Sequence, residues 1–361
     1  LRRSTAFVIA TAGVLACRQI AGIETITYTD GATGDAMNGG DGGCPLGTPL
    51  YTTASAYSSV GVQGGNVFVD VPTSGIFACS VTGCVTPQVL VNVAAPSIYE
   101  SFALGSSSLY YTFLGANQDG GPTGGSVHEV ALDGGNDHPI ASSLAYPFWV
   151  ATSGDDVFWI DDSLSDFGTT PATVNCIGCN GVTTSVPWIT NLSTTYAIIA
   201  DANTVWVLAD DGSGNGTDVV VACSTTTACH ANPKTVVTGI ISPLAALTTT
   251  TNLGSYFAGD GTYAYVVGNT SIIRTDNVGT NKSVVPGVTS IEAIAIDVPT
   301  GNLYYANDST IYRTKADGTS TSTPVVCNQS GLSALAVDSE NVYFLTSDGT
   351  ITNGAPNFAP K

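Results

Sequence analysis

Along the chain, short runs of β-branched and aromatic residues alternate with clusters of Gly, Asn, Asp, Ser and Thr. Such a sequence is rich in strand and turn formers and poor in helix formers, so short strands joined by turns are predicted throughout. The runs also recur. An aromatic or β-branched cluster preceded by a turn appears as NVFVD at Asn66, SLYYT at Ser108, DVFWI at Asp156, TVWVL at Thr204, YAYVV at Tyr263, NLYYA at Asn302 and NVYFL at Asn341. With Phe68, Tyr110, Phe158, Trp206, Tyr265, Tyr304 and Tyr343 as anchors, the intervals are 42, 48, 48, 59, 39 and 39 residues. Self-similarity at this period marks a repeat architecture.

Each anchor strand is usually preceded by a strand of small and aliphatic residues, such as AIAID at 293–297 or ALAVD at 334–338. A third strand follows, and it aligns without gaps in four copies: GIFACSVTG at 75–83, SVHEVALDG at 126–134, SIIRTDNVG at 271–279 and TIYRTKADG at 310–318. Four short strands per copy make one twisted antiparallel sheet, which cannot bury both faces alone, so the copies must stack around an axis. The stretch NLYYANDSTIYRTKADG resembles the YWTD and NHL repeats of β-propellers, over roughly residues 45 to 353. The second strand shows Tyr-Tyr, Phe-Trp or Tyr-Phe in place of the full YWTD signature, so the resemblance implies the architecture and carries over no functional residue. The expected fold is an all-β propeller of seven four-stranded blades. Six or eight remain open, because the 59-residue interval hides an insertion near 241–256. The last copy lacks a fourth strand, and the segment PLGTPLYTTASAY at 45–57 has no partner of its own. Placing that segment on the outer edge of the last blade closes the ring and covers an exposed edge.

The first seventeen residues, LRRSTAFVIATAGVLAC, put two arginines before a small and apolar run, the layout of an export signal too short to cross a bilayer as a helix. The run ends in Val14-Leu15-Ala16-Cys17, which resembles the lipobox of bacterial lipoproteins and implies acylation of Cys17. Residues 18–43 lack hydrophobic periodicity and are full of Gly and Asp, so they read as a flexible tether. The expected organisation is a signal peptide over 1–17, a tether over 18–43 and a single propeller domain over 44–361.

Nine cysteines punctuate this pattern. FACSVTGC at 77–84 occupies the turn where sister copies carry Asp133-Gly134 or Asp317-Gly318, and VNCIGCN at 174–180 and VVACSTTTACH at 220–230 sit at the corresponding place in two further copies. Cysteine pairs therefore replace turn chemistry, and the expected disulfides are Cys79–Cys84, Cys176–Cys179 and Cys223–Cys229. Closing so short a loop removes denatured-state entropy worth roughly 2 kcal/mol and pins the hairpin register. With Cys17 reserved for lipid, Cys44 and Cys327 remain, and a bond between them would tie the closing segment to the end of the sixth copy. A zinc site would need two knuckles brought together, yet the pairs fall on separate blades. Cys176-Ile-Gly-Cys179 has redox spacing, but in a β turn rather than at a helix N-terminus.

Charge narrows the partners. Lys and Arg number 9 against 28 Asp and Glu, a formal charge of -19 with no basic cluster, which repels phosphate backbones and anionic lipid surfaces. Nucleic acid is excluded as a partner, and a membrane is reached only through the lipid anchor. The three histidines are His128, His138 and His230. His128 falls where sister copies carry Tyr312 and Ile273, an ordinary strand position, while His138 and His230 lie past hairpin turns. No nucleophile elbow, Walker loop, HExxH or dinucleotide fingerprint occurs. The acidic loop DDGSGNGTD at 210–218 offers Asp211, Ser213, Asn215 and Asp218 to a calcium ion, without the bidentate Glu of an EF-hand. No other cofactor is expected. The functional expectation is a monomeric, extracytoplasmic, lipid-anchored propeller that binds a protein or glycan at its face. The alternative is a propeller lyase or hydrolase using carboxylates or a channel metal.

Overall fold

The computed structural model describes residues 44, 47–52, 59–71, 74–92, 97–118, 121–122, 124–162, 171–213, 217–230, 232–240, 256–346 and 350–354. Cys17, the tether and the insertion at 241–255 lie outside the described residues.

Seven antiparallel sheets of four main strands follow one another along the chain. Blade 1 comprises Val60–Gln63, Asn66–Val71, Gly75–Ser80 and Gln88–Asn92. Blade 2 comprises Ser97–Leu104, Ser108–Gln118, Gly125–Ala131 and His138–Leu144, with the short strand Gly121–Pro122 paired to the end of its second strand. Blade 3 is Pro147–Ser153, Asp156–Asp161, Ala172–Ile177 and Val186–Leu192. Blade 4 is Thr195–Ala200, Thr204–Asp210, Asp218–Ser224 and Lys234–Ile240. Blade 5 is Phe257–Gly259, Tyr263–Val267, Ser271–Asp276 and Asn281–Pro286, and blade 6 is Ile291–Asp297, Asn302–Asn307, Thr310–Lys315 and Thr323–Val326. Blade 7 takes Leu332–Val337, Val342–Thr346 and Thr350–Gly354 from the end of the chain and Thr48–Thr52 from its beginning.

The first strands of successive blades adjoin one another all the way round, and that of blade 7 returns to that of blade 1. The ring is therefore closed, with the first strands innermost. Thr48–Thr52 pairs antiparallel with Thr350–Gly354 on the outer edge of blade 7, as the orphan segment in the sequence suggested. Seven blades are present, and every aromatic anchor lies on a second strand.

Second strands are buried on both faces, because each blade packs against two neighbours. Trp206, Tyr265, Tyr343, Phe68 and Phe158 are all less than 2% exposed. Burial of such a side chain contributes roughly 1.5–3 kcal/mol, so the anchors are the main source of inter-blade adhesion. Polar groups stitch the same seams. The Trp188 indole donates to Ser224 O at 2.8 Å, from blade 3 to blade 4, and the Thr112 hydroxyl donates to Phe148 O at 3.0 Å, from blade 2 to blade 3.

The structure closes the three cysteine pairs suggested by the turn alignment, Cys79–Cys84, Cys176–Cys179 and Cys223–Cys229, and the leftover pair Cys44–Cys327. Their Cα separations of 5.2, 6.1, 5.8 and 5.9 Å lie within the disulfide range. Three of them staple the end of a third strand. The fourth ties the closing segment to the residue after blade 6, so that segment is held by sulfur as well as by a strand ladder.

Candidate functional site: the central channel and its rim

Except in blade 4, where Ile199 faces Trp206, the inner strands carry small residues opposite the large anchors. Ala151 faces Phe158, Ala258 faces Tyr265, Ala295 faces Tyr304, Ala336 faces Tyr343, and Gly61 faces Phe68 across the ladder. Small side chains at these positions leave the axis open. The result is a cavity of about 350 Å³ lined by residues of all seven inner strands or their immediate flanks. Among the described residues its lining is Ala, Val, Ile, Leu, Phe and Trp with Ser59, Ser101 and Thr152, with no Asp, Glu, His, Lys, Arg or Cys.

The polar atoms of this wall divide into two sets. Ser101 Oγ accepts from Val150 N at 2.9 Å and donates to Phe148 O at 3.2 Å, and the Thr152 hydroxyl donates to Leu104 O at 2.8 Å. Those hydroxyls serve the seams. Ser59 Oγ and Trp149 Nε1 are buried without a hydrogen-bond partner. A buried donor left unmade costs about 1–3 kcal/mol, and a guest relieves that cost only where a side-chain shift brings these shielded atoms to the channel.

Near the beginning of the inner strand, the ladder slips at a matching place in five blades: between Tyr99 and Phe102, Pro147 and Val150, Thr195 and Ala197, Ile291 and Ala293, and Leu332 and Ala334. Such bulges leave a residue outside the regular alternation and re-aim its side chain. Tyr196, Glu292 and Ser333 occupy the slipped positions of blades 4, 6 and 7. Glu292 is half-buried, and its Oε2 has no hydrogen-bond partner. Burial, reinforced by the charge of Asp308, pushes its carboxyl up to about 7. Its charge in turn helps raise the phenol of Tyr256, which is already raised by burial. Tyr196 is pushed up to about 12 by burial and then by Asp218 and Asp210. Glu292, two residues before the channel-lining Ile294, thus carries a carboxyl that burial pushes up to about 7.

The acidic loop is described at residues 210–213 and 217–218. Asp211 caps its own turn, accepting from Ser213 N at 2.7 Å and from the Thr217 hydroxyl, and bonds from Ser213 and Thr217 hold its carboxyl below the usual range. Asp218 is buried as the first residue of a strand and stands opposite Asp210. Asn215 lies outside the described residues. Among the described residues, no three His, Cys, Asp or Glu are gathered to hold a metal ion.

His138 and His230 are exposed. His128 occupies the strand position that the alignment assigned to it, stacked on Tyr111 at 4.9 Å between ring centroids, as Tyr312 is stacked on Tyr305 at 5.2 Å in blade 6. Its hydrogen bonds to Ser126 and Asp137 were not read from the sequence. Glu292 was missed as well, since nothing local distinguishes it from a solvated residue.

No known protein family matches the chain, and no curated relative does. Solved structures do resemble it. Virginiamycin B lyase from Staphylococcus aureus superposes with a TM-score of 0.56 at 13% identity, over 86% of this chain and 98% of that one. A gluconolactonase from Xanthomonas campestris gives 0.50 at 11% identity, over 85% and 89%. An extracellular domain from a Bacteroides (B. thetaiotaomicron) hybrid two-component system gives 0.54 at 14% identity, over 85% and 39%. At such identities the likeness shows the fold alone: a seven-bladed β-propeller.

Proposed function

We propose that this chain is an extracytoplasmic propeller that binds a protein segment or glycan at its rim and channel. The observation that carries this reading is the channel lining, which among the described residues offers apolar surface, with two unpartnered polar atoms just behind it, and no side chain able to shuttle a proton. Such a wall suits a neutral guest held by shape and one or two hydrogen bonds. Four disulfides belong to an oxidising compartment, which supports a location outside the cytoplasm. Attachment through an acylated Cys17 completes the proposal; Cys17→Ser is expected to move the protein from the membrane to the soluble fraction.

Trp149 reports on occupancy, because its ring lines the cavity whereas Trp159, Trp188 and Trp206 are buried in the blades. A panel of neutral oligosaccharides and uncharged peptides is titrated against tryptophan emission, with Ala295→Leu as a channel-filling control. Saturable quenching that the control abolishes supports the reading. Binding of equal strength in the filled channel, or no response across the panel, counts against it.

A second reading, an enzyme on the same scaffold, is favoured by one observation: the Glu292 carboxyl near 7 has the acidity wanted in a general acid or base. The lyase and lactonase folds show that propellers carry such chemistry elsewhere, and turnover lost in Glu292→Gln would support it here.

A further inference from the structure

Outside the channel, blade 2 assembles a second set of chemically competent side chains. Ser126 and His128 are two residues apart on its third strand and so share a face. Asp137 ends the turn that leads to the fourth strand. His128 Nε2 is 2.9 Å from Ser126 Oγ, and His128 Nδ1 is 3.0 Å from Asp137 Oδ1. The Tyr111 hydroxyl donates to both oxygens of Asp137 at 3.0 Å, which fixes the carboxylate against the imidazole. With Asp137 ionised, Nδ1 carries the ring proton and donates it to the carboxylate. The lone pair of Nε2 then faces the serine hydroxyl, in the order nucleophile, base and orienting acid.

The repeat supplies its own control. At the position of His128 the sister strands carry Phe77, Ile273 and Tyr312, and at the position of Ser126 they carry Gly75, Ser271 and Thr310. Packing between blades therefore accepts an aromatic or aliphatic side chain there, so the fold does not require an imidazole. The ring stack is shared with blade 6, and the relay is particular to blade 2 among the aligned strands.

We propose that Ser126, His128 and Asp137 form an acyl-transfer site that hydrolyses small carboxylic esters, independently of the channel. Ser126 Oγ adds to the ester carbonyl carbon while its proton passes to His128 Nε2. Collapse of the tetrahedral adduct breaks the bond to the alkoxide, which leaves with that proton as the alcohol. Water then adds to the acyl-serine, again giving a proton to His128, and release of the carboxylic acid restores the Ser126 hydroxyl with the proton returned. Asp137 keeps the imidazole oriented and stabilises its cationic form. Ser126 is 6% exposed and the His128 side chain 21% exposed, so a slim acyl group is the substrate class that fits.

The test uses the full chain and two probes. Methanesulfonyl fluoride, small enough for the half-closed site, is expected to add one methylsulfonyl group, with loss of fluoride, mapped by peptide mass spectrometry to Ser126. Ser126→Ala and His128→Phe, the latter keeping an aromatic ring for the stack, are expected to take up none. Hydrolysis of p-nitrophenyl acetate is expected to fall at least about 100-fold in Ser126→Ala and to lose its rise with pH in His128→Phe. Asp137→Asn should lower the same rate at least about 10-fold with binding of the probe retained. An unmodified Ser126 after prolonged exposure of the wild-type protein overturns the proposal, whatever the variants do. So does an adduct confined to another residue, or ester hydrolysis equal in wild-type and a folded Ser126→Ala protein.

Discussion

The Tyr343 hydroxyl donates to Asp338 Oδ2 at 2.9 Å, while Asp338 Oδ1 accepts the amides of Glu340 and Asn341 at 2.8 and 2.7 Å. One carboxylate thus closes the turn between the inner and second strands of blade 7 and secures the aromatic anchor of that blade. Blade 5 repeats the device with Asp260, Thr262, Tyr263 and the hydroxyl of Tyr265, and blade 4 repeats it with Asp201, Asn203, Thr204 and the indole of Trp206. Asp338→Ala removes all three acceptances and should cost about 2–3 kcal/mol, whereas Tyr343→Phe should cost about 1 kcal/mol. Denaturant midpoints of both variants and of the double variant check this; simple additivity would mean that the two side chains are not coupled.

Gly75 begins the third strand of blade 1 with φ near +141°, and a Cβ there would stand 2.0 Å from Val91 O. That oxygen belongs to a strand backbone and cannot step aside without breaking the ladder. Gly75→Ala should therefore destabilise the protein by more than about 2 kcal/mol, through both dihedral strain and the clash. A thermal midpoint within a degree or two of wild type would refute the prediction.

The Cys44–Cys327 bond spans 283 residues, the longest loop of the four. In the chain-entropy model its removal costs up to roughly 5 kcal/mol, against about 2 kcal/mol for each short staple. Cys44→Ser with Cys327→Ser should lower the melting temperature more than Cys79→Ser with Cys84→Ser. Scanning calorimetry of the two double variants decides the order, and alkylation without reductant should find none of these eight thiols in the wild-type protein.

Glu292 makes stability depend on pH with a definite sign. Its carboxyl is raised from 4.5 to about 7, first by burial and then by Asp308, so between these values the folded state holds a proton that the unfolded chain has released. This contribution is fully present below about pH 4.5 and is lost as pH rises through about 7. Glu292→Gln should flatten the fall in melting temperature across that window. A slope unchanged by the substitution would show that the carboxyl is solvated.

Much of the architecture is local information. Strand–turn alternation, anchors at a near-constant period and the replacement of Asp-Gly turns by cysteine pairs are written within single repeats. They point to a ring of about seven sheets and to three staples without reference to distant residues, and the leftover segment and leftover cysteines point to the closure; the structure decided the count, which the insertion near 241–256 had left open between six and eight. The Asp-to-aromatic spacing of five residues at Asp201 and Trp206, Asp260 and Tyr265, and Asp338 and Tyr343 was equally present in the sequence. It is the signal that locates the anchoring turns.

The sites were decided by folding. The channel wall takes one or a few residues from strands that begin as far apart as Val60 and Leu332, so no stretch of sequence displays its lack of charge. Desolvation of Glu292 depends on a bulge and on neighbours from another blade. Asp137 meets His128 because the Gly134 turn folds the fourth strand back on the third. Repeat patterning is short-range and survives in one dimension, whereas convergence around an axis and exclusion of water exist only once all seven blades have met.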